Sequence, residues 1–394
     1  MKSKIIKGLF CFDGPIYKDK DGNYCSITIN NQMLSRYLDV CDHLYLIVRT
    51  FNSDKSFSEL NMPKIENDRI TIIDTPNYYS LKYLINSRSE QNKIEEYVKQ
   101  SDLIFARMPS QTSNIVLKVV KKMKKPYLVE VGGCAWDSFF NHSFKGKLLA
   151  PYMYLAEKNY VYHADYASYV TKNFLQKRYP NKSNNQINCS NVYILPEVKN
   201  VRKYTNNRPI SIGTATNSID VKYKGQDSVI RALSILKNKY NETVYYDIVG
   251  PGEGFHLKEL AKKLNVENQV RFLGTKNKLE MNDWLANLDI YIQPSKQEGL
   301  PRSVIEAMSF GKYILGSSIA GIPELIDQNF LFNPGNYQQI TALIAIFLKT
   351  ETSEINKISM SNFEKSLEYS VDKLNLRRKK FFNNFKNYVM EGNK

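Results

Sequence analysis

Long apolar runs are missing from this sequence: no stretch approaches the roughly 18–20 consecutive apolar residues that a membrane-spanning helix needs. Only a short apolar run lies between the first lysines and Asp13, so we expect no secretory signal. Cysteines are few, odd in number and widely spaced, without a Cys-x-x-Cys pair. This pattern argues against a disulfide framework or a thiolate zinc site and favours a reducing cytoplasm. The cysteines are Cys11, Cys25, Cys41, Cys134 and Cys189.

The composition is that of a folded globular chain, with 42% hydrophobic and 24% charged residues in 394, which excludes disorder as a whole-chain description. The length predicts two domains, or at most three. A formal net charge of +16 leaves nucleic acid, an anionic membrane and a small anionic ligand open as partners. Because both halves of the chain carry the excess, no basic tail explains it.

Short apolar, β-rich runs alternate with amphipathic stretches, first before residue 200 and again after residue 208. This alternation predicts βαβ units with parallel sheets, and two such series predict two doubly wound α/β domains. The predicted strands are residues 5–12, 44–48, 70–74, 103–107, 127–131, 192–195, 209–214, 244–250, 270–274, 289–295 and 313–318. The predicted helices are residues 30–38, 80–100, 113–122, 228–240, 255–264, 279–288 and 303–311.

The polar stretch 197–208 lacks apolar periodicity and marks the predicted domain boundary. We therefore predict an N-terminal domain over residues 1–200 and a C-terminal domain over 201–370. Residues 371–394 are predicted to form a terminal helix that packs back on the N-terminal domain.

The most informative segment is residues 289–326, in which a strand is followed by the loop Glu298-Gly299-Leu300-Pro301 and then by a helix. Free amides in the first helical turn, from Arg302 and Ser303, form a favourable anion site. Glu298 and Glu306 are eight residues apart, and carboxylates accept the paired hydroxyls of a sugar or ribose well. A solvated loop acid and an ordinary first-turn acid remain the alternatives. Glu306 lies in the apolar stretch Val-Ile-Glu-Ala-Met, where an unpaired acid is costly to bury, and this favours a functional role.

This segment, with its E-x7-E spacing and the later Gly-Ile-Pro-Glu-Leu-Ile at residues 321–326, resembles the donor-site signature of retaining family 4 glycosyltransferases. The resemblance implies a GT-B architecture: two Rossmann-like domains facing across a cleft, with a C-terminal helix crossing back. It also implies that Glu298 binds the transferred sugar and Glu306 the ribose of a nucleotide-sugar donor. The amides of Gly299 and Leu300 would lie beside the sugar, and those of Arg302 and Ser303 beside the diphosphate.

The same resemblance assigns phosphate binding to the turn after the second domain's first strand. Lys224, before Gly225, matches the family's lysine, whereas the usual arginine after Gly213 is replaced by Thr214. Lys222 or Arg302 would then supply the missing charge. Further along the domain, the resemblance assigns Gly250 and Thr275 to the donor side as well.

The resemblance places the acceptor in the N-terminal half, where the sequence is less informative. The first strand is predicted to end at Phe12, followed by a polar loop to residue 26. The candidate acceptor-side residues share a position at or after the carboxyl end of a predicted strand. They are Gly14, Arg107, Gly133, Trp136 and Asp137.

The expected reaction is glycosyl transfer with retention of configuration, with Glu298 and Lys224 as catalytic residues. The expected donor is a nucleotide-diphosphate sugar, preferably a UDP-sugar, and the expected acceptor is a glycan or a polyprenyl-linked glycan. Without a DxD motif at a strand end, no metal and no cofactor are expected, because basic residues replace the metal. A sugar-nucleotide epimerase of the same architecture is the alternative enzyme; with only four histidines, the chain has few acid–base candidates for it.

A basic nucleic-acid-binding protein is the alternative from another class. The dispersed charge and the lack of an RRM or KH signature argue against it. The preferred interpretation is a cytoplasmic enzyme of bacterial capsule or O-antigen synthesis. We expect it to reach the inner membrane face peripherally through the lysine cluster at residues 118–125.

Overall fold

Two α/β units make up the structure, a computed structural model that describes residues 4–60, 62–79, 88–141, 144–197, 199, 201–206 and 210–392. The first unit comprises residues 1–170, 175–189 and 375–394, and the second comprises 171–174 and 190–374. Parts of the predicted boundary stretch 197–208, and residues 80–87 of the predicted helix 80–100, lie outside the described residues.

Unit 1 is built on one sheet with the strand order β4-β3-β1-β5-β6-β7-β8, in which neighbouring strands run parallel. The short β2 pairs with β1 in the antiparallel sense. The strands are β1 (Lys7–Lys18), β2 (Tyr24–Cys25), β3 (His43–Asn52), β4 (Ile70–Thr75), β5 (Leu103–Met108), β6 (Leu128–Val131), β7 (Tyr166–Tyr169) and β8 (Gln186–Asn188).

Helices connect these strands, as parallel pairing requires. They are α1 (Asn31–Leu38), α2 (Phe57–Leu60), α3 (Arg88–Gln100), α4 (Gln111–Lys122), α5 (Ala135–Phe140), α6 (Phe144–His163) and α7 (Phe174–Arg178). The Asp13 carboxylate receives the backbone N–H groups of Gln111 (2.6 Å) and Thr112 (2.9 Å) and thereby holds the start of α4. This helix start is stabilised because a carboxylate there pairs with the unsatisfied first-turn amides.

Three sequence predictions for this half are wrong. The first strand does not end at Phe12 but continues, after a shift in register, to Lys18. Residues 192–195 form only an isolated bridge at Ile194. The strands β7 and β8 were missed, because Tyr-Ala-Ser-Tyr and Gln-Ile-Asn are too short and too polar to stand out as apolar runs.

The last helix, α14 (Val371–Glu391), supplies part of the core of unit 1. Phe382 stacks on Tyr37 at a centroid distance of 5.6 Å and lies 5.1 Å from Phe105, and all three side chains are buried. Aromatic pairs of this kind stabilise beyond their buried area. The sheet of unit 1 is thus covered on this face by the most C-terminal part of the chain.

Unit 2 contains a sheet of six strands in the order β11-β10-β9-β12-β13-β14, all parallel. The strands are β9 (Ile210–Ala215), β10 (Val244–Val249), β11 (Val270–Gly274), β12 (Ile290–Gln293), β13 (Tyr313–Ser317) and β14 (Leu331–Phe332). The helices are α8 (Gln226–Tyr240), α9 (Phe255–Lys263), α10 (Lys278–Asn287), α11 (Arg302–Ser309), α12 (Tyr337–Lys349) and α13 (Thr352–Ser366). Strand β9 neighbours β12, so the loops that follow these two strands open at the same edge.

Within the described ranges, none of the helices is both long enough and apolar enough to cross a bilayer.

Glu157 is a fully buried acid on α6. Its Oε2 accepts the backbone N–H of Ala135 at 2.9 Å, at the start of α5, while its Oε1 has no hydrogen-bond partner among the residues that the structure describes. Burial raises the pKa of this carboxyl to about 8. The side chain is therefore protonated in the folded protein at neutral pH.

Glu157→Gln is expected to raise the apparent Tm, with a gain that grows from pH 5 to pH 8. Because the folded-state pKa is raised, only the unfolded chain ionises Glu157 in this interval, so the wild type loses stability as the pH rises. At pH 7 a pKa shift of this size lowers the free energy of unfolding of the wild type by roughly 3 kcal/mol. Glutamine, which mimics the neutral acid, avoids this loss. Thermal melts across this pH range measure the effect. The exposed Glu364→Gln serves as control, and a pH-independent difference for Glu157→Gln would contradict the assignment.

Candidate functional site

Two loops of unit 2 are joined where β9 and β12 end. The backbone N–H of Lys296 donates to the carbonyl of Tyr223 at 2.7 Å. Gly225 has a φ of +74°, and a Cβ there would overlap the Pro294 carbonyl oxygen. Only glycine fits this contact without strain, so the close approach of the two loops depends on the glycine at position 225.

A buried ion pair lies at this junction. The Lys224 Nζ is 2.7 Å from Oε1 of Glu298, and their side chains are only 14% and 12% exposed. The same oxygen receives the hydroxyl of Ser295 at 2.8 Å and the side-chain amide of Gln293 at 3.1 Å. Three donors thus converge on one carboxylate oxygen, which compensates for its burial.

The amide of Gln293, at the end of β12, connects this pair to the sheet and to α11. Its Nε2 donates to Ser295 (2.8 Å) as well as to Glu298, and its Oε1 accepts the hydroxyls of Tyr291 (3.0 Å) and Ser303 (3.2 Å). With donors and acceptors all used, the orientation of the amide is determined. The position of Glu298 therefore depends on a side chain of the buried strand.

Glu306 lies on α11 and is partly buried. Among the described residues, its carboxylate has no hydrogen-bond partner. Burial raises the pKa of Glu306, whereas the charges of Lys278 and Arg302 act in the opposite direction. A partly buried acid without a donor is free to bind an incoming hydroxyl group.

The helix α11 begins as the sequence predicts, with Pro301 at the N-cap in an extended conformation and no side-chain cap. Its first-turn amides are therefore available to an anion. The preceding loop is held by the backbone N–H of Gly321, which donates to the carbonyl of Gly299 at 2.9 Å. Leu300 is buried, and Arg302 is exposed beside the helix start. This loop and residues 321–326 of the signature are in direct contact.

The remaining donor-side candidates fall into two groups, one in the core of unit 2 and one at the carboxyl edge of its sheet. The hydroxyl of Thr214 is buried, donating to the carbonyl of Ile292 (2.7 Å) and receiving the hydroxyl of Tyr246 (2.9 Å). A Cβ on Gly213 would overlap the ring of Trp284. Thr214 and Gly213 therefore both pack in the core. Three other candidates stay at the carboxyl edge. Lys222 and Thr275 are exposed there, and Gly250 hydrogen-bonds the carbonyl of Gly274 at 2.9 Å.

In unit 1, Arg107 is bound to Glu130 of β6 (3.1 Å), and Tyr37 and Arg36 contact the same carboxylate. Burial alone would raise the pKa of Glu130, but Arg107 and Arg36 outweigh it and lower the pKa to about 2. Arg107 is thus part of a buried cluster under α1.

The other acceptor-side candidates lie apart from this cluster. Gly14 lies in the irregular part of β1, and Gly133 precedes α5. Trp136 stacks on Phe140 (5.4 Å), and Asp137 is 3.8 Å from Arg178.

Sequence reasoning missed Gln293, Ser295 and Tyr291, which position the ion pair. A sequence signal was available: the polar Gln293 directly follows the apolar run Ile-Tyr-Ile, and Ser295 comes two residues later. The described ranges contain no group of three or more His, Cys, Asp or Glu side chains that could hold a metal ion.

Residues 219–365 match the family model "Glycosyl transferases group 1". Protein CapJ of Staphylococcus aureus is 34% identical over 393 residues, covering 97% of this chain and 96% of CapJ. The amylovoran biosynthesis glycosyltransferase AmsK of Erwinia amylovora is 30% identical over 184 residues, covering 44% of each.

Among solved structures, HepE of Anabaena in complex with UDP has a TM-score of 0.67 at 16% identity, covering 96% of this chain and 100% of HepE. Its complex with UDP-glucose has a TM-score of 0.65 at 17% identity, with the same coverage. These values show a shared fold, the two-domain GT-B architecture. The family match over residues 219–365 and the near full-length similarity to CapJ show that the chain belongs to the group 1 glycosyl transferases.

Proposed function

We propose that this protein is a retaining, family 4 glycosyltransferase that moves a sugar from a nucleotide-diphosphate donor to a glycan or lipid-linked glycan. The observation that carries the proposal is the Lys224–Glu298 pair, which joins the two loops at the start of α11. A cation and a carboxylate beside a helix start match the two halves of such a donor, the anionic diphosphate and the hydroxyl-bearing sugar.

Donor binding exchanges the partners of this pair. The diphosphate takes Lys224 and the first-turn amides of α11, and the carboxylate of Glu298, released from Lys224, accepts sugar hydroxyls. Glu306 binds the ribose, and the amides of Gly299 and Leu300 lie along the sugar. Because Ser295 and Gln293 keep donating to Glu298, the carboxylate retains its position when Lys224 leaves it.

The chemical step relies on electrostatic stabilisation. As the bond from the anomeric carbon to the diphosphate breaks, negative charge grows on the leaving oxygen, and Lys224 and the helix start stabilise it. A phosphate oxygen accepts the proton of the attacking hydroxyl, so no covalent nucleophile is assigned. Lys222 and Arg302 add positive charge at the edge, and on this proposal the reaction needs neither metal nor cofactor.

A UDP-sugar is the proposed donor, supported by the HepE complexes with UDP and UDP-glucose. Synthesis of a bacterial surface polysaccharide is the proposed pathway, supported by the similarity to AmsK, a glycosyltransferase named for amylovoran biosynthesis.

UDP-sugars are expected to raise the Tm of the protein more than GDP- or ADP-sugars do, and UDP alone is expected to give part of the shift. Ligand binding to the folded state stabilises by mass action, about 2.7 kcal/mol at a concentration 100 times the Kd. A thermal-shift screen with all three nucleotides measures this. A larger shift with GDP- or ADP-sugars would overturn the UDP assignment, and no shift with any of them would overturn the proposed function.

Lys224→Met is expected to lower kcat by about 100-fold or more, the typical cost of removing a group that stabilises developing charge. Lys222→Met is expected to lower kcat by about tenfold or less, because the charge of an exposed lysine is screened by solvent and salt. Steady-state kinetics with the donor found in the screen measure both.

The exposed Lys263→Met, on α9, is the matched control for loss of one positive charge. Full activity of Lys222→Met would exclude this residue as the replacement for the missing arginine and leave Arg302. Full activity of Lys224→Met would contradict the mechanism.

A further inference from the structure

Helix α6 of unit 1 is apolar on two opposite faces. Its inner face is buried through Ala150, Met153 and Val161. Its outer face carries four large apolar side chains that remain largely in solvent. They are Phe144 (78% exposed), Leu148 (72%), Leu155 (62%) and Tyr162 (45%).

The spacing of these residues places them on one stripe. Steps of four, seven and seven residues bring the four side chains within about 40° of one another on the helix surface. The stripe runs about 27 Å along the axis, at 1.5 Å per residue. Exposed apolar residues scattered singly need no explanation, but a contiguous stripe of this length marks an interaction surface.

The flanks of the stripe are basic. Lys147 and Lys158 lie on one side of it and Lys145 on the other, at the angles that helical spacing gives them. The one acid of the helix, Glu157, is fully buried on the inner face. The solvent-facing side of α6 therefore combines apolar side chains with positive charge only.

The neighbouring helix α4 packs against the inner side of α6 and brings part of the lysine cluster close to this helix. The two helices are in contact, because Asn114 of α4 hydrogen-bonds the sulfur of Met153 (3.5 Å) and the Lys121 Nζ lies 5.8 Å from the ring centroid of Tyr160. Lys121 therefore lies next to α6. Two other members of the cluster are engaged elsewhere: Lys122 pairs with Glu95 at 3.0 Å, and the Lys125 Nζ donates to the carbonyls of Val98 and Ser101, both at 2.7 Å.

Aromatic side chains close the surface at the other end. Trp136 and Phe140 of α5 stack at 5.4 Å, and the Nζ of Lys147 lies 5.5 Å from the ring centroid of Phe140. Trp, Tyr and Lys with an apolar centre are the residues that settle at the boundary between lipid headgroups and acyl chains.

We propose that the outer face of α6, with the lysines that flank its apolar stripe, docks on an anionic lipid bilayer. The apolar stripe inserts at the level of the headgroups, while the lysines pair with lipid phosphates. A second copy of the chain is disfavoured on this face, because a two-fold contact would bring the lysine rows of the two copies together. The proposal does not rest on the proposed transfer reaction.

The full chain is expected to cosediment with vesicles containing about 30% phosphatidylglycerol and to bind pure phosphatidylcholine weakly. The double variant Leu148→Ser/Leu155→Ser is expected to lose about tenfold or more in partitioning, since two leucines no longer enter the apolar layer. Leu376→Ser is the matched control: this residue of α14, also in unit 1, is 72% exposed, as Leu148 is, but it lies outside the surface.

Fluorescence gives a second readout. Trp136 borders the surface, whereas Trp284, the second tryptophan, is buried in unit 2. Lipids with brominated chains are expected to quench the tryptophan fluorescence of the wild type. They are expected to quench that of the Trp136→Phe variant much less. Thermal melts of every variant establish that it is folded.

Three results would overturn the proposal. They are binding that is indifferent to phosphatidylglycerol, anionic vesicle binding that the double variant retains, and a wild-type dimer that the double variant dissociates. Because vesicle binding is measured without donor or acceptor, its failure is distinguishable from failure of the proposed enzymatic function.

Discussion

A carboxylate can be buried only if donors surround it, and the candidate site of unit 2 is organised by this constraint. Glu298 receives Lys224, Ser295 and Gln293 on one oxygen. These groups come from two loops, and the loops meet because β9 and β12 are neighbours in a parallel sheet. The topology thus determines which side chains can satisfy the acid, and the acid in turn fixes the loop before α11.

The division between rigid and available groups follows from the same network. Gln293 has its amide fully used and acts as a support. Within the described part of the chain, by contrast, the first-turn amides of α11 and the carboxylate of Glu306 have no side-chain partner. Burial has a different role in unit 1, where Glu130 is held by arginines under α1 and α14. The first arrangement leaves groups ready for a ligand; the second is a structural ion cluster in the core of the unit.

Much of the fold was predictable because buried parallel strands appear in the sequence as short apolar runs. The strands β9 to β13 and the helix start at Pro301 lie close to their predicted positions. The polar strands β7 and β8 lacked that signal. The direction of a side chain was harder to predict than its position. Thr214 and Arg107 both lie near strand ends, as predicted, but the alternation of the pleat turns both inward, and an error of one residue in register reverses that direction. The pairing of Lys224 with Glu298, 74 residues apart, depends on sheet order, which one sequence does not reveal.

The dependence of unit 1 on α14 has a consequence for biosynthesis. Phe381, Phe382, Phe385 and Val389 belong to the same core cluster as Phe10 and Leu44. Synthesis from the N-terminus therefore exposes the first sheet to the cell long before its last covering helix leaves the ribosome. The whole of unit 2 is made in between and can fold while unit 1 is still incomplete. The first part of the sequence thus forms a domain whose core is completed only after unit 2 has been synthesised.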